Sequence, residues 1–417
     1  MTMDFASRVG RVEPSATLAI SNKAAQLEAE GKDVVDLSVG EPDFDTPENI
    51  KDAAKDALDA GHTGYTSSNG IPQLKEAIAE KLHDDGLTQY GPDNLIVTPG
   101  GKQALYEIFQ TLIDGDDGSH PSSGGTSSDS GDEVALLDPA WVSYEAMVKL
   151  AGGSLTRVDT AAHDFQLEGA LDDLAAAVSD DTELLVVNSP GNPHGAVYSR
   201  DALEGVRDLA VEHDITVISD EIYKEITYDG AEAISLGTLE GMADRTVTLN
   251  GFSKAYAMTG WRLGYFAGPE ELVSQAGKVH SHSVSCAVNF VQHAGVEAIT
   301  NTDEAVEEMR RAFAERREFL MGLFEDHGVH VPEPQGAFYM MPEIAPDGDS
   351  ESRSGSDSLP VEPGDDTEWC DKAISEAQVA TVPGSAFGTP GYARISYANS
   401  KERLEEAVDR LAEHDLI

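Results

Sequence analysis

A lysine placed directly after an apolar run is a costly site for a charge. Lys254 stands there: residues 245–250 read as a buried strand, and only Gly251-Phe252-Ser253 separate that strand from the amine. Desolvation disfavours an ammonium, and a neutral amine attacks aldehydes. The position suits a lysine that holds an aldehyde cofactor as a Schiff base. Arg262, eight positions on, can bring a second cation to the same place. A lone Gly-x-Ser-Lys string is common, so the surroundings must decide.

Asp220 follows the apolar residues 216–219. A carboxylate there can keep a pyridinium nitrogen protonated and make the ring an electron sink; read alone, it serves equally as a helix cap. Tyr223 lies three positions later, one helical turn away if a helix follows, and so on the same side. Gly100-Gly101-Lys102 opens a helix after a strand, where free N–H groups bind phosphate or simply turn the chain. Asn192 before Pro193 reads alone as a turn residue. Trp141, flanked by Val142 and Tyr144, reads alone as core packing.

The elements that must position these residues alternate. Strands are expected at 94–98, 134–137, 184–188, 216–219 and 245–250, with helices at 102–112 and 201–212 among them. Continuous apolar strands separated by helices indicate an α/β fold with a mostly parallel sheet covered on both faces. Sites in such sheets gather at the carboxyl ends of the strands. Asn192, Asp220 and Lys254 all fall there. Residues 401–414 read as an amphipathic helix, with Leu404, Val408 and Leu411 at helical spacing.

Residues 251–264, GFSKAYAMTGWRLG, resemble the attachment signature for pyridoxal 5'-phosphate (PLP) in class I aminotransferases of fold type I. Further landmarks in order are Gly40-Glu41-Pro42-Asp43, Gly70-Ile71-Pro72, Trp141-Val142-Ser143-Tyr144, Asn188-Ser189-Pro190-Gly191-Asn192-Pro193, Ser219-Asp220-Glu221-Ile222-Tyr223 and Arg394-Ile395-Ser396-Tyr397. The likeness covers nearly the whole chain and is nearest to the prokaryotic aspartate aminotransferase group. It implies that Lys254 carries PLP and that Asp220 faces the ring nitrogen. Tyr223 and Asn192 bond the phenolic oxygen. Gly100, Gly101, Lys102, Ser253 and Arg262 hold the phosphate, and Trp141 stacks on the ring. Arg394 and Gly40 receive the substrate α-carboxylate, with Trp141 and Asn192 beside it. Tyr65 reaches the phosphate of a neighbouring subunit, which implies a homodimer. The implied partners are an L-amino acid and a 2-oxo acid, aspartate and 2-oxoglutarate first.

The pattern is departed from in places. Gly191 and His194 replace the usual Asn and Thr around Asn192, where a local turn effect is expected. Gly251 stands where a Ser is often found, and Ser253 is the substitute. Ser15 and Thr17 match residues that hold a side-chain carboxylate. The helix cation expected with them is missing, since Gln110 falls near its place. Aromatic, alanine-like or prephenate-type substrates therefore stay open, as does a PLP lyase, against which Trp141 argues. A PLP-binding regulatory domain is disfavoured, because no DNA-binding module precedes the fold.

Acidic residues number 76 against 28 basic ones, giving a formal net charge of -48. Such a surface repels nucleic acid and anionic membranes. The apolar runs exclude a disordered acidic chain. At ~1 M salt the Debye length is about 3 Å, which screens carboxylates from one another, so the composition reads as that of a halophilic cytoplasmic protein. No signal peptide or membrane span is expected. Cys286 and Cys370 lack metal spacing, and neither a metal nor a disulfide is expected. The expected organisation is an N-terminal arm at 1–14, a large PLP-binding domain at 48–300, and a smaller α+β domain joining 15–47 to 301–417. Polar surface loops are expected at 115–131 and 345–366.

Overall fold

The computed structural model of the chain describes residues 3–115, 132–346 and 361–417. Seven strands, numbered along the chain, make the central sheet: β1 (Leu95–Thr98), β2 (Glu133–Asp138), β3 (Ser154–Asp159), β4 (Thr182–Asn188), β5 (Thr216–Asp220), β6 (Thr246–Gly251) and β7 (Gly264–Ala267). Their spatial order is β1-β7-β6-β5-β4-β2-β3. The pairs from β6 to β3 are parallel. Only β7 runs against its neighbours, β1 and β6.

The apolar runs are continuous because both faces are covered. Leu184, Val186 and Ile218 pack on one side with Leu105 and Ile108 of the helix Gly101–Leu112. Leu185, Val187 and Val217 pack on the other with Leu203 and Val206 of the helix Arg200–Glu212. Successive side chains point to opposite faces, and each fully buried Leu, Ile or Val contributes about 2 kcal/mol. Ser199 caps the second helix by accepting from the Ala202 N–H at 3.2 Å. The five expected strands are all present, with ends shifted by a residue or two. Two more, β3 and β7, were not expected from the sequence. In β3 only Val158 is buried, so no apolar run marks it.

Two smaller sheets stand apart. Val35–Asp36 pairs in parallel with Val379–Ala380, and Ala393–Ser396 lies between Val382–Pro383 and Tyr339–Met340, antiparallel to both. Phe313, Leu320 and Phe324 of the helix Asp303–Asp326 pack there with Val35, Trp369 and Tyr397. Leu404, Val408 and Leu411 of the helix Lys401–Glu413 complete that core.

One expectation needs correction. The segment after β5 is a tight turn rather than a helix, with Lys224 N donating to Glu221 O and Ile226 N to Tyr223 O. Tyr223 therefore shares a side with Asp220 through a turn. The polar loops at 115–131 and 345–366 fall largely outside the described residues. Where the second is described, its ends are packed: Ala345 and Val361 are buried, and Asp366 begins the helix Asp366–Ser375 while accepting from Ser385 N at 2.5 Å.

Candidate active site

The register of the sheet sets the site. Asn188 pairs with Asp220, Asp220 with Leu249, and Gly251 with Gly264. The ends of β4, β5 and β6 and the start of β7 thus meet at one edge. A cavity of about 410 Å³ opens there. Its walls hold Gly101, Lys102, Trp141, Asn192, Asp220, Tyr223, Ser253, Lys254, Arg262 and Arg394 from the sequence reading, together with Gly40 and Thr17.

The Lys254 amine, recessed in the cavity, donates to the Gly40 carbonyl. It lies 5.5 Å from the centre of the Tyr223 ring and 5.4 Å from that of Phe338. Burial brings its pKa down to about 7, helped by the positive charge of Arg394. Asp220 is 4% exposed. Its Oδ2 accepts from the Tyr144 hydroxyl at 2.6 Å and its Oδ1 from Ile222 N at 3.2 Å. Burial lifts its pKa to about 6, against the pull of those two donors. The Tyr223 and Tyr339 hydroxyls share a hydrogen bond of 3.0 Å. A Cβ at position 40 would stand 3.0 Å from the Tyr339 oxygen, so glycine keeps that wall thin.

Arg394 is 3% exposed and is delivered by the separate three-stranded sheet. It donates to Ser38 O at 2.6 Å and to Asn192 Oδ1 at 3.2 Å, and it packs on the Tyr339 and Phe387 rings. Among the described residues no carboxylate pairs with it, and its Nε has no partner. A buried guanidinium left in that state is costly.

Elsewhere on the cavity wall, Gly100 (φ +88°) precedes the helix Gly101–Leu112, which begins with no side-chain cap on its first N–H groups. A Cβ on Gly100 would lie 2.5 Å from an Arg262 nitrogen. That closeness explains why the turn needs glycine beside the arginine. Arg262 Nη1 donates to Thr259 O at 2.8 Å, and Thr259 in turn donates to Glu41 at 2.8 Å. Lys102 lies 4.8 Å from the centre of the Trp141 ring; its pKa is lowered by burial and by Arg262. Trp141 meets Tyr144 edge-on at 5.4 Å.

Some expected residues lie apart. Tyr65 is 91% exposed and does not reach the cavity of its own chain. Ser15 stays off the wall but shares a 2.9 Å hydrogen bond with Thr17, which lines it. Gln110 does not line the cavity. His194 is buried and its Nδ1 accepts from Ala196 N at 3.0 Å. Burial holds its pKa at about 3, so it stays neutral, and the expected turn effect is what it has. Tyr144, Ser38 and Tyr339 went unassigned in the sequence reading. Only Tyr144 carried a local signal, sitting three residues past Trp141.

The residues present fit PLP and its substrates. The cavity of a chain with net charge -48 holds four basic side chains, Lys102, Lys254, Arg262 and Arg394, against two carboxylates, Glu41 and Asp220. Its cations are divided between a helix N-terminus and an unpaired buried guanidinium, as a molecule anionic at both ends requires. Among the described residues no group of three or more His, Cys, Asp or Glu could hold a metal, and no helix is long and apolar enough to cross a membrane.

Residues 32–411 match the family model for aminotransferase class I and II. The chain is 40% identical over 410 residues to an aspartate aminotransferase of a Bacillus species, covering 98% of each chain. It is 41% identical over 411 residues to an aspartate/prephenate aminotransferase of Thermus thermophilus, covering 97% of each. The solved structure of the Thermus thermophilus aspartate aminotransferase with maleate is similar, with a TM-score of 0.88, 40% identity and coverage of 99% of this chain and 100% of that one. With cavity and comparisons in agreement, the chain belongs to the class I aminotransferases, PLP-dependent enzymes of fold type I.

Proposed function

We propose that this aminotransferase takes the amino group of L-aspartate and gives it to 2-oxoglutarate. The observation that carries the reading is the second cation. Arg394 serves one carboxylate, and Lys102 stands free on Trp141 to serve another. The lysine sought near Gln110 is thus supplied at the first turn of the same helix, while the backbone N–H groups of that turn remain free for phosphate. Ser15 and Thr17 support the reading by placing linked hydroxyls at the wall. So do relatives named aspartate aminotransferases, one solved with the dicarboxylate maleate. Leu18 at the same wall, exposed and apolar, favours a second substrate class with a larger side chain. The Thermus relative named for both aspartate and prephenate accords with it.

Bound PLP supplies an aldehyde for the amino group and a ring that accepts the electron pair of the broken Cα–H bond. The chain's own residues do the rest. Lys254, neutral above pH about 7, would take the proton from the substrate Cα and deliver it to the former aldehyde carbon of the cofactor. Asp220, ionised above pH about 6 and oriented by Tyr144, would keep a proton on the cofactor's ring nitrogen. The Tyr223 hydroxyl and the Asn192 side-chain amide would donate to the phenolic oxygen of the cofactor. Arg394, steadied by Ser38 O, would fix the α-carboxylate, and Gly101, Ser253 and Arg262 would hold the phosphate.

The wider reading is a homodimer in which Tyr65 enters the partner's cavity, in a halophilic cytoplasm. Exposed Tyr65 and the charge of -48 support it. A large unit at 48–300 and a smaller one combining 15–47 with 301–417 are supported by the separate sheets and by the pairing of Val35–Asp36 with Val379–Ala380. The test is a panel of L-amino acids against 2-oxoglutarate in molar KCl. Aspartate should be the preferred donor. An even rate across aspartate, alanine and phenylalanine defeats the assignment.

A further inference from the structure

The loop that carries Tyr65 is held from beneath by side chains of two helices. His280 Nε2 donates to Ser68 O at 3.0 Å. Gln292 Nε2 donates to Thr66 Oγ1 at 3.1 Å, while its Oε1 accepts from Ile71 N at 2.8 Å. Asn289 Nδ2 donates to Gly64 O at 3.0 Å. His280 and Gln292 have no exposed surface. Behind His280 stands Glu107, equally buried, with its two oxygens 2.9 and 3.1 Å from Nδ1. Both ring nitrogens thus have a partner, the Glu107 carboxyl on one side and the Ser68 carbonyl on the other. Replacing a buried carboxylate–imidazole pair by apolar groups generally costs a core nothing. Glu107 also accepts from Gln103 Nε2 at 2.9 Å, and the ring it backs holds one backbone carbonyl, Ser68 O, three residues from a tyrosine that is exposed and does not line its own cavity. Glu107 also lies on the helix Gly101–Leu112, whose first turn faces the chain's own cavity.

We propose that Glu107 and His280 are positioning residues for Tyr65, fixing its loop so that the phenol enters the cavity of a second copy of the chain. The proposal rests on the reading that Tyr65 acts across a dimer. It places the effect of His280 in the partner's site. If the pair instead served the helix Gly101–Leu112, the effect would fall on its own site.

Tagged hybrid dimers with a single live site separate these cases. A subunit carrying Lys254→Ala is dead, so the live site combines the other subunit's lysine with the dead subunit's Tyr65 loop. With His280→Gln on the dead subunit, PLP should dissociate about tenfold more readily from the live site and kcat/KM should fall, as one lost buried hydrogen bond implies. With His280→Gln on the live subunit, both values should match the unsubstituted hybrid. A defect confined to the live-subunit arrangement, equal in both, or absent from both overturns the proposal. Tyr65→Phe in the same two arrangements tests the underlying reading on its own. If Tyr65→Phe acts from the dead subunit and His280→Gln does not, sharing stands and positioning falls. If Tyr65→Phe does not act from the dead subunit, sharing itself is wrong. Asn289→Ala, at a half-buried position on the helix that holds the same loop through Gly64 O, decides the matter if His280→Gln fails to fold. Its defect should likewise appear only from the dead subunit, and any other pattern refutes positioning.

Discussion

The depressed pKa of Lys254 predicts how fast the apoprotein captures its cofactor at each pH. Only the neutral amine attacks an aldehyde. With a pKa of about 7, roughly 90% of Lys254 is neutral at pH 8. An ordinary lysine at pKa 10.5 is only ~0.3% neutral there. The protein therefore gains a factor of about 300 in reactive amine from burial and from Arg394. The assay is stopped-flow mixing of apoprotein with PLP between pH 5.5 and 9.5, followed by visible absorbance. The capture rate should rise with pH and level off with a midpoint near 7. Arg394→Gln removes the nearby cation, so its midpoint should move up. A wild-type midpoint above pH 9 would show that the cavity does not tune this amine, and a midpoint unmoved by Arg394→Gln would show that Arg394 takes no part in the tuning.

The remaining predictions concern chemistry, specificity and salt. Lys254→Ala should abolish turnover while PLP still binds non-covalently, and borohydride should then fix no label to the chain, whereas in the wild type it should label Lys254. Arg394→Ala should lower kcat/KM for every amino acid alike, by roughly ten- to a hundredfold, because all share the α-carboxylate. Lys102→Ser should instead penalise aspartate and glutamate about tenfold more than alanine, and an even loss would remove Lys102 from side-chain recognition. Melting temperature and activity should fall as KCl drops well below molar, since carboxylates in a chain of net charge -48 repel one another unscreened.

Much of this was legible in the sequence because parallel strands advertise themselves. Residues 184–187 and 217–218 are apolar on both faces, and the polar residue that ends each strand, Asn188 or Asp220, marks the site edge. What escaped was set by tertiary contact. Strand β3 hides because it is a half-exposed edge, and β7 because it is a short antiparallel return. Tyr339 and Ser38 enter the cavity from chain segments far from Lys254, and no local pattern announces them. The dicarboxylate cation was sought at Gln110 by alignment of residue types. Lys102 emerges as the candidate only once the helix is seen to point its first turn, and not its last, at the cavity.

The reversal of β7 has a consequence for how the molecule comes apart. The excursion 252–263 leaves the sheet at Gly251 and re-enters beside it at Gly264, so Lys254 and Arg262 are both tethered to the central sheet by one short closure. Arg394 sits on a strand that shares no ladder with that sheet. Structures open in cooperative pieces whose stabilities differ. Partial denaturation that frees the three-stranded sheet would carry Arg394 away while leaving Lys254, Arg262 and Asp220 assembled. Under rising urea the protein should lose its grip on amino acids before it releases its cofactor, leaving a coloured but idle species partway through the transition.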